Sequence, residues 1–554
     1  MQPDEEQLTE TFSVTLTVLR HSSPIEWAAL PDSTTPEDLP QRLQDLAERG
    51  RAPGFLSDLA EIERAVALSR AHGHLLEDEV QERTPNPTIQ VLTANWTGLP
   101  DCFLTDGQCP PQPSAEQETI LVWLHPKGGT LQVKTASNDD LLMLKMTTEG
   151  ISLQETAKAF DLRLSSLQRT EAQALRRGLL LAPEPRLQRQ DHFAVDSDQS
   201  RLSAGVFTLQ WHITQACDLN CKHCYDRSSR TSIDLEQARA VLDDFQRFCA
   251  SKRVRGRITL SGGNPLMHPQ FEAIYAEAAE RGFPIGILGN PAPEERIRSI
   301  MEIQQPSFYQ VSLEGLEAHN DHIRQPGHFN RVLDFLDLLQ GLGLESQVML
   351  TLTRDNMQQV LPLAEQLRGR TGTFSFNRLS PVGEGSRLLL PGTEEFTGFL
   401  YQYLEAARHN PVLGLKDNLL NIARLENGQP AFGGCTGFGC GAAFNFLALL
   451  PDGEVHACRK FPSFLGNAYQ QSLESIYDSA AASTYRAGSA ACRGCELLDR
   501  CGGCQAVVSG LGLDASMDRD PYCFFRNAPA SGQSGGRACV SAQTWPSETE
   551  SVRV

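Results

Sequence analysis

Three cysteines on one short stretch have a spacing that suits an iron-sulfur cluster. Cys217, Cys221 and Cys224 lie in the sequence CDLNCKHCY and follow the pattern CxxxCxxC. Three thiolates hold three irons of a four-iron four-sulfur cluster and leave the fourth iron open, whereas an electron-transfer cluster usually takes a fourth protein thiolate. The open iron predicts that this cluster takes part in the chemistry. A three-cysteine zinc site and unrelated buried cysteines are the alternatives, although zinc motifs rarely use this spacing.

A second group of cysteines lies towards the C-terminus, where eight of the fifteen in the chain fall between residues 435 and 523. Eight thiolates match two fully ligated four-iron clusters, an arrangement suited to electron transfer. Two zinc ribbons are the alternative, because paired CxxC motifs also bind zinc. The eight are Cys435, Cys440, Cys458, Cys492, Cys495, Cys501, Cys504 and Cys523.

The elements around the first motif predict a parallel β/α barrel. Residues 206–214 (VFTLQWHIT) alternate and are rich in aromatic and β-branched residues, which predicts a strand directly before the cysteine loop. Strands and helices then alternate as far as residue 408, and barrels of this kind place their active sites at the carboxyl ends of the strands. Six strands would leave one side open for a large substrate. The predicted strands are 206–214, 257–260, 284–288, 309–313, 347–353 and 373–378.

The N-terminal part predicts two further regions on either side of a proline-rich linker at residues 110–118. Residues 1–110 are predicted to be helical and of unknown role. Residues 118–186 predict two strands followed by three helices, the order of a winged helix-turn-helix, so the fold class is α+β here and α/β in the barrel. DNA binding is one interpretation, in which arginines of the helices contact phosphates. Those arginines are Arg163, Arg169, Arg176 and Arg177.

Residues 118–186 also resemble the PqqD-like leader-recognition domain of ribosomal peptide maturases. The resemblance rests on DLLMLKMTTEGISLQETAKAF followed by LRRGLLL. It implies that a leader peptide binds by adding a strand to the edge of the sheet.

The amino-acid composition indicates which kinds of molecule the protein is expected to bind and where in the cell it is expected to lie. A net charge of -19 argues against a general binder of nucleic acid or anionic membranes, since these attract lysine and arginine. The acidic N-terminus and the lack of a long apolar run predict a cytoplasmic protein. In such a chain, cysteines predict metal ligands rather than disulfides. The small, polar tail at 526–554 is predicted to be disordered.

The first cysteine motif and its preceding strand resemble those of the radical S-adenosylmethionine (SAM) superfamily. That resemblance implies that the open iron binds the amino and carboxylate groups of SAM. His223 takes the position where the family commonly has an aromatic residue. SGGNP at 261–265 matches the family's GGEP motif, with Asn264 in place of glutamate. The two glycines lack Cβ atoms, so their backbone can approach the methionyl ammonium.

Further cofactor contacts are expected at the ends of later strands. VSLEG at 311–315 offers a serine and a glutamate, and an arginine follows where related enzymes pair one with the methionine carboxylate. The fifth and sixth strands add polar side chains, among them Arg378, that would point towards the same mouth. The full expected set is Gly262, Gly263, Asn264, Pro265, Ser312, Glu314, Arg324, Thr351 and Asn377.

The C-terminal cysteines, at residues 430–525, resemble the SPASM extension of radical SAM peptide maturases, which holds two auxiliary four-iron clusters. One gap is a residue shorter than usual. SPASM enzymes that oxidise sulfatases carry an aspartate base after the cysteine matching Cys458, and Arg459 stands there in this chain. The resemblance assigns Cys435, Cys440, Cys458 and Cys504 to the first auxiliary cluster, and Cys492, Cys495, Cys501 and Cys523 to the second.

The combined features predict a radical SAM peptide maturase with a barrel at 206–408. It would cleave SAM to a 5′-deoxyadenosyl radical and modify a ribosomal peptide, with a sulfur- or selenium-to-carbon cross-link as the leading product. The expected reductant is a ferredoxin or flavodoxin, and neither nucleic acid nor membrane is an expected partner. Alternatives are carbon-carbon cross-linking, epimerisation or sulfatase-type oxidation, and a redox-sensing DNA-binding regulator.

Overall fold

The computed structural model describes residues 10–28, 34–35, 37–76, 79–103, 113–160, 162–193 and 201–525. The predicted tail at 526–554 lies outside these residues. The chain divides into two compact units, Met1–Glu184 and Pro185–Val554. Within the part of the chain that the structure describes, no helix combines the length and apolar character needed to cross a bilayer.

The first unit contains a small antiparallel sheet. Between residues 118 and 186, its strands and the helices that follow agree with the predicted elements. Its central strand pairs on one side with a predicted partner and on the other with a strand from residues 90–94. The strands are β1 (Thr84–Pro85), β2 (Gln90–Ala94), β3 (Glu118–Leu124), β4 (Leu131–Thr135) and β5 (Leu180–Leu181). The helices are α1 (Ser13–Ser22), α2 (Pro24–Ala28), α3 (Leu39–Glu48), α4 (Leu56–Ala71), α5 (Asn138–Glu149), α6 (Leu153–Phe160) and α7 (Leu164–Arg176).

The two predicted N-terminal regions share one core in the structure. Ile62 and Val66 of α4 pack with Ile120 and Val122 of β3. The structure therefore does not divide into two regions at residues 110–118. Helical residues that precede this linker cover a sheet whose strands mostly follow it. Cys102 also differs from the metal-ligand expectation, since it is buried and disulfide-bonded.

The second unit is organised around an open nine-stranded sheet. Its strands are β6 (Val206–Thr214), β7 (Arg255–Gly262), β8 (Ile285–Leu288), β9 (Phe308–Ser312), β10 (Ser346–Leu352), β11 (Thr373–Arg378), β12 (Phe446–Leu449), β13 (Glu454–His456) and β14 (Phe464–Asn467). They lie in the order β11-β10-β9-β8-β7-β6-β12-β13-β14. The strands β6 to β11 are parallel and fall where the six barrel strands were predicted.

Helices cover the parallel strands and bury their apolar face. Phe207, Leu209 and Trp211 of β6 are at most 1% exposed, and the Phe207 ring lies 4.7 Å from that of Phe248. This alternation is what a pleated strand with one helix-covered face requires. The helices are α8 (Leu235–Ser251), α9 (Phe271–Glu280), α10 (Glu294–Ile303), α11 (Glu317–Ile323), α12 (His328–Gly341), α13 (Val360–Leu367), α14 (Thr393–His409), α15 (Leu420–Glu426), α16 (Leu473–Tyr477), α17 (Ala480–Arg486) and α18 (Gln505–Gly510).

The cysteine-rich region extends the same sheet. β12 pairs in parallel with β6 and antiparallel with β13, so the predicted hairpin at residues 452–453 is confirmed. Gly453 has φ +87°, and a Cβ there would lie 2.6 Å from the Asn467 side chain, which explains the glycine in this turn. The hairpin brings the C-terminal region alongside the strand that carries the first cysteine motif.

Candidate active site

The first cysteine motif forms the loop that follows β6. Cys217, Cys221 and Cys224 are free thiols, with the first exposed and the other two half-buried. Burial raises the pKa of Cys221, and negative charge on its two fellow cysteines raises it further. Since the pKa of Cys217 is likewise raised by burial and in part by Cys224, the three side chains are electrostatic neighbours. The structure brings together the three predicted ligands of the open cluster.

The two glycines of SGGNP let the end of β7 pass close to the cysteine loop. The Gly263 amide donates to the Thr214 carbonyl at 2.9 Å. A Cβ on Gly262 would lie 2.0 Å from that same oxygen, and one on Gly263 would lie 2.3 Å from the Ala216 carbonyl. The sequence explained these glycines by access for SAM, which stays a prediction. In the structure, residues 214–216 occupy the space beside their Cα atoms, so the glycines also allow the cysteine loop to pack against the end of β7.

Asn264 belongs to a polar cluster beneath the cysteine loop. Its amide donates to Asp218 Oδ1 at 2.9 Å, and its backbone leads into a short turn that begins with Pro265. Asn290, at the end of the third strand, donates to the same carboxylate at 2.6 Å and lies 3.8 Å from the Cys217 sulfur. Sequence reasoning missed Asn290 and Asp218, although a polar residue directly after a buried strand (LGNP) was a usable signal.

Glu314 and Arg324, both predicted contacts, form a buried ion pair with Arg324 donating to Glu314 at 2.5 Å. His223 lies 3.3 Å from the same carboxylate, and the Thr351 backbone amide donates to it at 2.8 Å. Although burial raises the pKa of Glu314, the neighbouring histidine and arginine hold it below its ordinary value. Arg324 also approaches the Cys221 sulfur to 3.7 Å. These residues therefore meet at the cysteine loop.

The remaining predicted contacts lie on the neighbouring strands. Ser312 is the half-buried last residue of β9. Asn377 pairs in register with Thr351, and its amide lies 3.1 Å from the Met349 sulfur. Thr351 and Asn377 are thus adjacent, as expected. Thr351 reaches the Glu314 cluster through its backbone amide.

The sequence predicted that Arg378 points towards the mouth of the barrel, and this prediction is wrong. Its side chain is buried and donates to Asp417 at 2.7 Å and to both oxygens of Asp520 at 2.9 and 2.6 Å. The reason is the strand alternation, because residues 377 and 378 must face opposite sides of the sheet. Arg378 consequently ties the sixth strand to the cysteine-rich region.

Four of the C-terminal cysteines line one cavity. Cys492, Cys495, Cys501 and Cys523 line it, together with apolar side chains such as Leu498. Burial raises the pKa of Cys492 to about 11, with a further rise from Cys523. These are the four predicted ligands of the second auxiliary cluster, and their cavity is the strongest support for that set.

The other four C-terminal cysteines are also neighbours. Burial raises the pKa of Cys458 to about 11, and charge on Cys440 and Cys435 raises it further. Cys504 has its pKa raised to about 12 mainly by burial, with a smaller contribution from Cys440. The structure thus groups the predicted ligands of the first auxiliary cluster.

The donor sets suit clusters by their chemistry, since each consists of three or four free thiols. Among the described residues, no three cysteine, histidine, aspartate or glutamate side chains form a group that could hold a single metal ion. Thiolates are the ligands that iron-sulfur clusters take in proteins, so the residues present fit such clusters.

Basic and aromatic side chains lie between the first motif and the first auxiliary set. Arg459 donates to the Ser261 hydroxyl at 3.2 Å. The Tyr225 hydroxyl lies 3.3 Å from His212 Nε2. Burial raises the pKa of Tyr225 to about 12, so the phenol is neutral at pH 7. The sequence identified Arg459 but gave no signal for the tyrosine-histidine pair.

Comparison with known proteins identifies two domains. The radical SAM superfamily model matches residues 211–367, and the SPASM iron-sulfur cluster-binding domain matches residues 440–505. The resemblance of residues 118–186 to PqqD lies outside both ranges and stays a prediction.

Three relatives are similar in sequence. The AdoMet-dependent heme synthase of Methanosarcina barkeri is 24% identical over 57% of this chain and 96% of its own. The mycofactocin maturase MftC of Mycolicibacterium smegmatis is 27% identical over 62% of this chain and 86% of its own. The subtilosin biosynthesis protein AlbA of Bacillus subtilis is 24% identical over 49% of this chain and 59% of its own.

Among solved structures, Streptococcus suis SuiB bound to S-adenosylmethionine aligns with a TM-score of 0.47 and 16% identity, over 74% of this chain and 96% of that chain. The two domain matches cover the first cysteine motif and most of the C-terminal cysteines. The chain is therefore an iron-sulfur enzyme with a radical SAM domain followed by a SPASM domain.

Proposed function

We propose that this enzyme cleaves S-adenosylmethionine reductively and modifies a ribosomally made peptide. The leading product is a bond from a cysteine sulfur, or a selenocysteine selenium, to carbon. The observation that carries the proposal is the position of Cys217, Cys221 and Cys224 at the carboxyl ends of parallel strands. When bound there, the cluster and SAM supply the electron and the 5′-deoxyadenosyl radical that abstracts hydrogen from the peptide.

The residues around the cysteine loop have separate roles in this proposal. Cys217, Cys221 and Cys224 hold the open cluster. Asn290 and Arg324 lie against two of the three sulfurs and orient them by weak hydrogen bonds. The remaining predicted contacts bind SAM at the strand ends and keep water from the radical.

Two auxiliary four-iron clusters complete the proposed set. The four-cysteine cavity supports the second of them, because it brings together four thiols, the number of ligands that a fully coordinated cluster takes. Clusters with four thiolates are suited to passing electrons rather than to binding SAM. We assign the supply of these electrons to a low-potential ferredoxin or flavodoxin.

Peptide recognition is assigned to the first unit. Its sheet has β2 and β4 at its two edges, and an edge strand offers unpaired backbone groups to an extended peptide. Holding the leader there would raise the concentration of the core peptide at the barrel mouth. The names of AlbA and MftC, a bacteriocin biosynthesis protein and a maturase, support a peptide substrate.

Two alternatives lose support from the contacts of charged residues. Arg177, a predicted phosphate contact of the DNA-binding interpretation, directly follows α7 and is paired with Asp140, and Glu171 on α7 is paired with Arg83. Sulfatase-type oxidation needs a base at the position of Arg459, where a guanidinium cannot accept a proton.

Anaerobic reconstitution tests the proposal. We expect about twelve irons per chain, three clusters of four by the ligand count. Dithionite and SAM should then yield 5′-deoxyadenosine, and Cys217→Ala should abolish this product while retaining about eight irons. Zinc in place of iron, or iron without 5′-deoxyadenosine, would contradict the proposal.

Sequencing the neighbouring genes and co-expressing any short cysteine-containing precursor found there tests the product class. A sulfur-to-carbon bond removes two hydrogen atoms and makes the cysteine resistant to alkylation, which mass spectrometry detects. An alkylatable cysteine in a modified peptide would favour carbon-carbon cross-linking or epimerisation instead.

A further inference from the structure

The segment that follows the first unit packs onto the cysteine-rich region. Leu187 is fully buried, and Arg189 donates its backbone amide to the Leu202 carbonyl at 2.6 Å. Phe193 is 3% exposed and packs against Cys492, which belongs to the second auxiliary set. Although the stretch is polar in sequence, residues 187–193 are part of the wall around the auxiliary sites.

Arg189 is bound to the backbone beside the first auxiliary set. Its guanidinium donates to the Cys440 carbonyl at 2.6 Å and to the Phe438 carbonyl at 2.9 Å. A third hydrogen bond, of 3.0 Å, goes to the Arg486 carbonyl. Cys440 is one of the four thiols of that set, so the Arg189 cation is hydrogen-bonded to the backbone of a predicted cluster ligand.

The Arg189 charge is buried among backbone carbonyls and aromatic rings, and the Arg486 cation lies close enough to disfavour it further. The side chain is 8% exposed. Its guanidinium carbon lies 4.5 Å from the centre of the Phe193 ring and 4.0 Å from that of Phe444. Carbonyl dipoles and aromatic faces attract a cation, but a buried charge remains costly unless an opposite charge lies near. The thiolates of a bound cluster would provide that negative charge.

We propose that Arg189 sets the reduction potential of the first auxiliary cluster by acting as its buried counter-charge. This inference rests on the proposed function, which assigns Cys440 to that cluster. Reduction adds a negative charge, and a fixed cation beside the cluster stabilises the reduced form, so Arg189 raises the potential. Arginine suits this position because it stays charged when buried and its planar fork reaches several carbonyls at once.

The test is an anaerobic redox titration of the reconstituted full chain, followed by electron paramagnetic resonance. Adding SAM changes the signal of the open cluster and so identifies it. Arg189→Gln removes the charge but keeps hydrogen-bond donors, and Arg189→Lys keeps the charge. Arg298→Gln is the matched control, because Arg298 forms an exposed ion pair on α10.

In Arg189→Gln we expect one auxiliary signal to show at least a tenfold lower ratio of reduced to oxidised cluster at a fixed potential. That change equals about 59 mV for a one-electron couple. Arg189→Lys should stay within threefold of the wild type, and Arg298→Gln should not change.

Unchanged signals in Arg189→Gln with full iron content would overturn the inference, as would an equal fall in the lysine variant. If the glutamine variant does not fold, the lysine variant decides. A ratio within threefold of the wild type then supports the inference, and a tenfold fall overturns it. Failure of the proposed function is distinguishable, because the wild type itself would then lack auxiliary cluster signals.

Discussion

Arg324 and Glu314 form a buried ion pair that stands directly against the first cysteine loop. The guanidinium donates to one carboxylate oxygen at 2.5 and 3.1 Å, while its other edge lies 3.7 Å from the Cys221 sulfur. Both side chains are under 10% exposed. The carboxylate therefore fixes the orientation of the arginine before any carboxylate of SAM arrives.

Glu314→Gln should destabilise the barrel. Removing one partner of a buried pair leaves the other charge uncompensated, which costs roughly 3 kcal/mol of unfolding free energy. Urea unfolding followed by tryptophan fluorescence measures this change. Glu294→Gln, which breaks an exposed pair on α10, should have no measurable effect. Equal stability of the two variants would contradict the structural role of the pair.

Stability should fall as the pH drops from 6.5 to 5. Burial lowers the pKa of His328 to about 3. The unfolded chain takes up this proton below about pH 6.5 and the folded protein does not, so the folded state is weakened across that interval. The expected loss from this histidine at pH 5 is about 2 kcal/mol relative to pH 7.5. In His328→Gln the fall should be shallower, and an identical pH profile would refute this origin.

Gly262→Ala should disrupt the cysteine loop. The new Cβ would meet the Thr214 carbonyl at 2.0 Å at a backbone φ of +135°, so the end of β7 has to shift. We expect the variant to lose the irons of the open cluster, about four of twelve, while the auxiliary clusters remain. Gly398→Ala is the control, because Gly398 lies within α14 with no atom within 4 Å of the new Cβ. Full iron in the Gly262 variant would contradict the proposed fit.

Asn290→Ala should slow the formation of 5′-deoxyadenosine. Its amide is the hydrogen-bond donor to the Cys217 sulfur and to Asp218, and loss of such a second partner typically costs 10- to 100-fold. The iron content should be unchanged. Asn330→Ala, at an exposed site on α12 where the side chain contacts Glu317, should keep the wild-type rate. A rate loss in both variants would point to general destabilisation instead.

Cys501→Ala should remove the second auxiliary cluster alone. Its thiol lines the four-cysteine cavity, so iron should fall from about twelve to about eight per chain. Cys249→Ala should retain all of the iron, because this buried free cysteine lies on α8 and belongs to none of the three sets. Equal iron in the two variants would show that the cavity is not a cluster site.

The sequence predicted the parts that depend on local pattern. The strand before Cys217 has a clear period-two alternation, and the hairpin at Asp452 and Gly453 has a strong turn signal, so both were found. The groups of four cysteines follow from the resemblance to known domains, and the structure places their members together.

The parts that depend on long-range packing were not predictable. The pairing of β12 with β6 joins residues far apart in the chain, and no local pattern encodes it. The orientation of Arg378 depended on the strand register, which a boundary error of one residue reverses. Leu187 and Phe193 are embedded in a polar sequence, which concealed that the segment is packed.

The packing of residues 187–193 determines where this enzyme can be divided. A cut in the polar stretch after Phe193 would separate the first unit from the radical SAM and SPASM domains, but it would also remove Arg189 and Phe193 from the auxiliary sites. Oxygen and water would then reach those sites. A separated catalytic fragment must therefore begin before Leu187, even though the sequence suggests a later boundary.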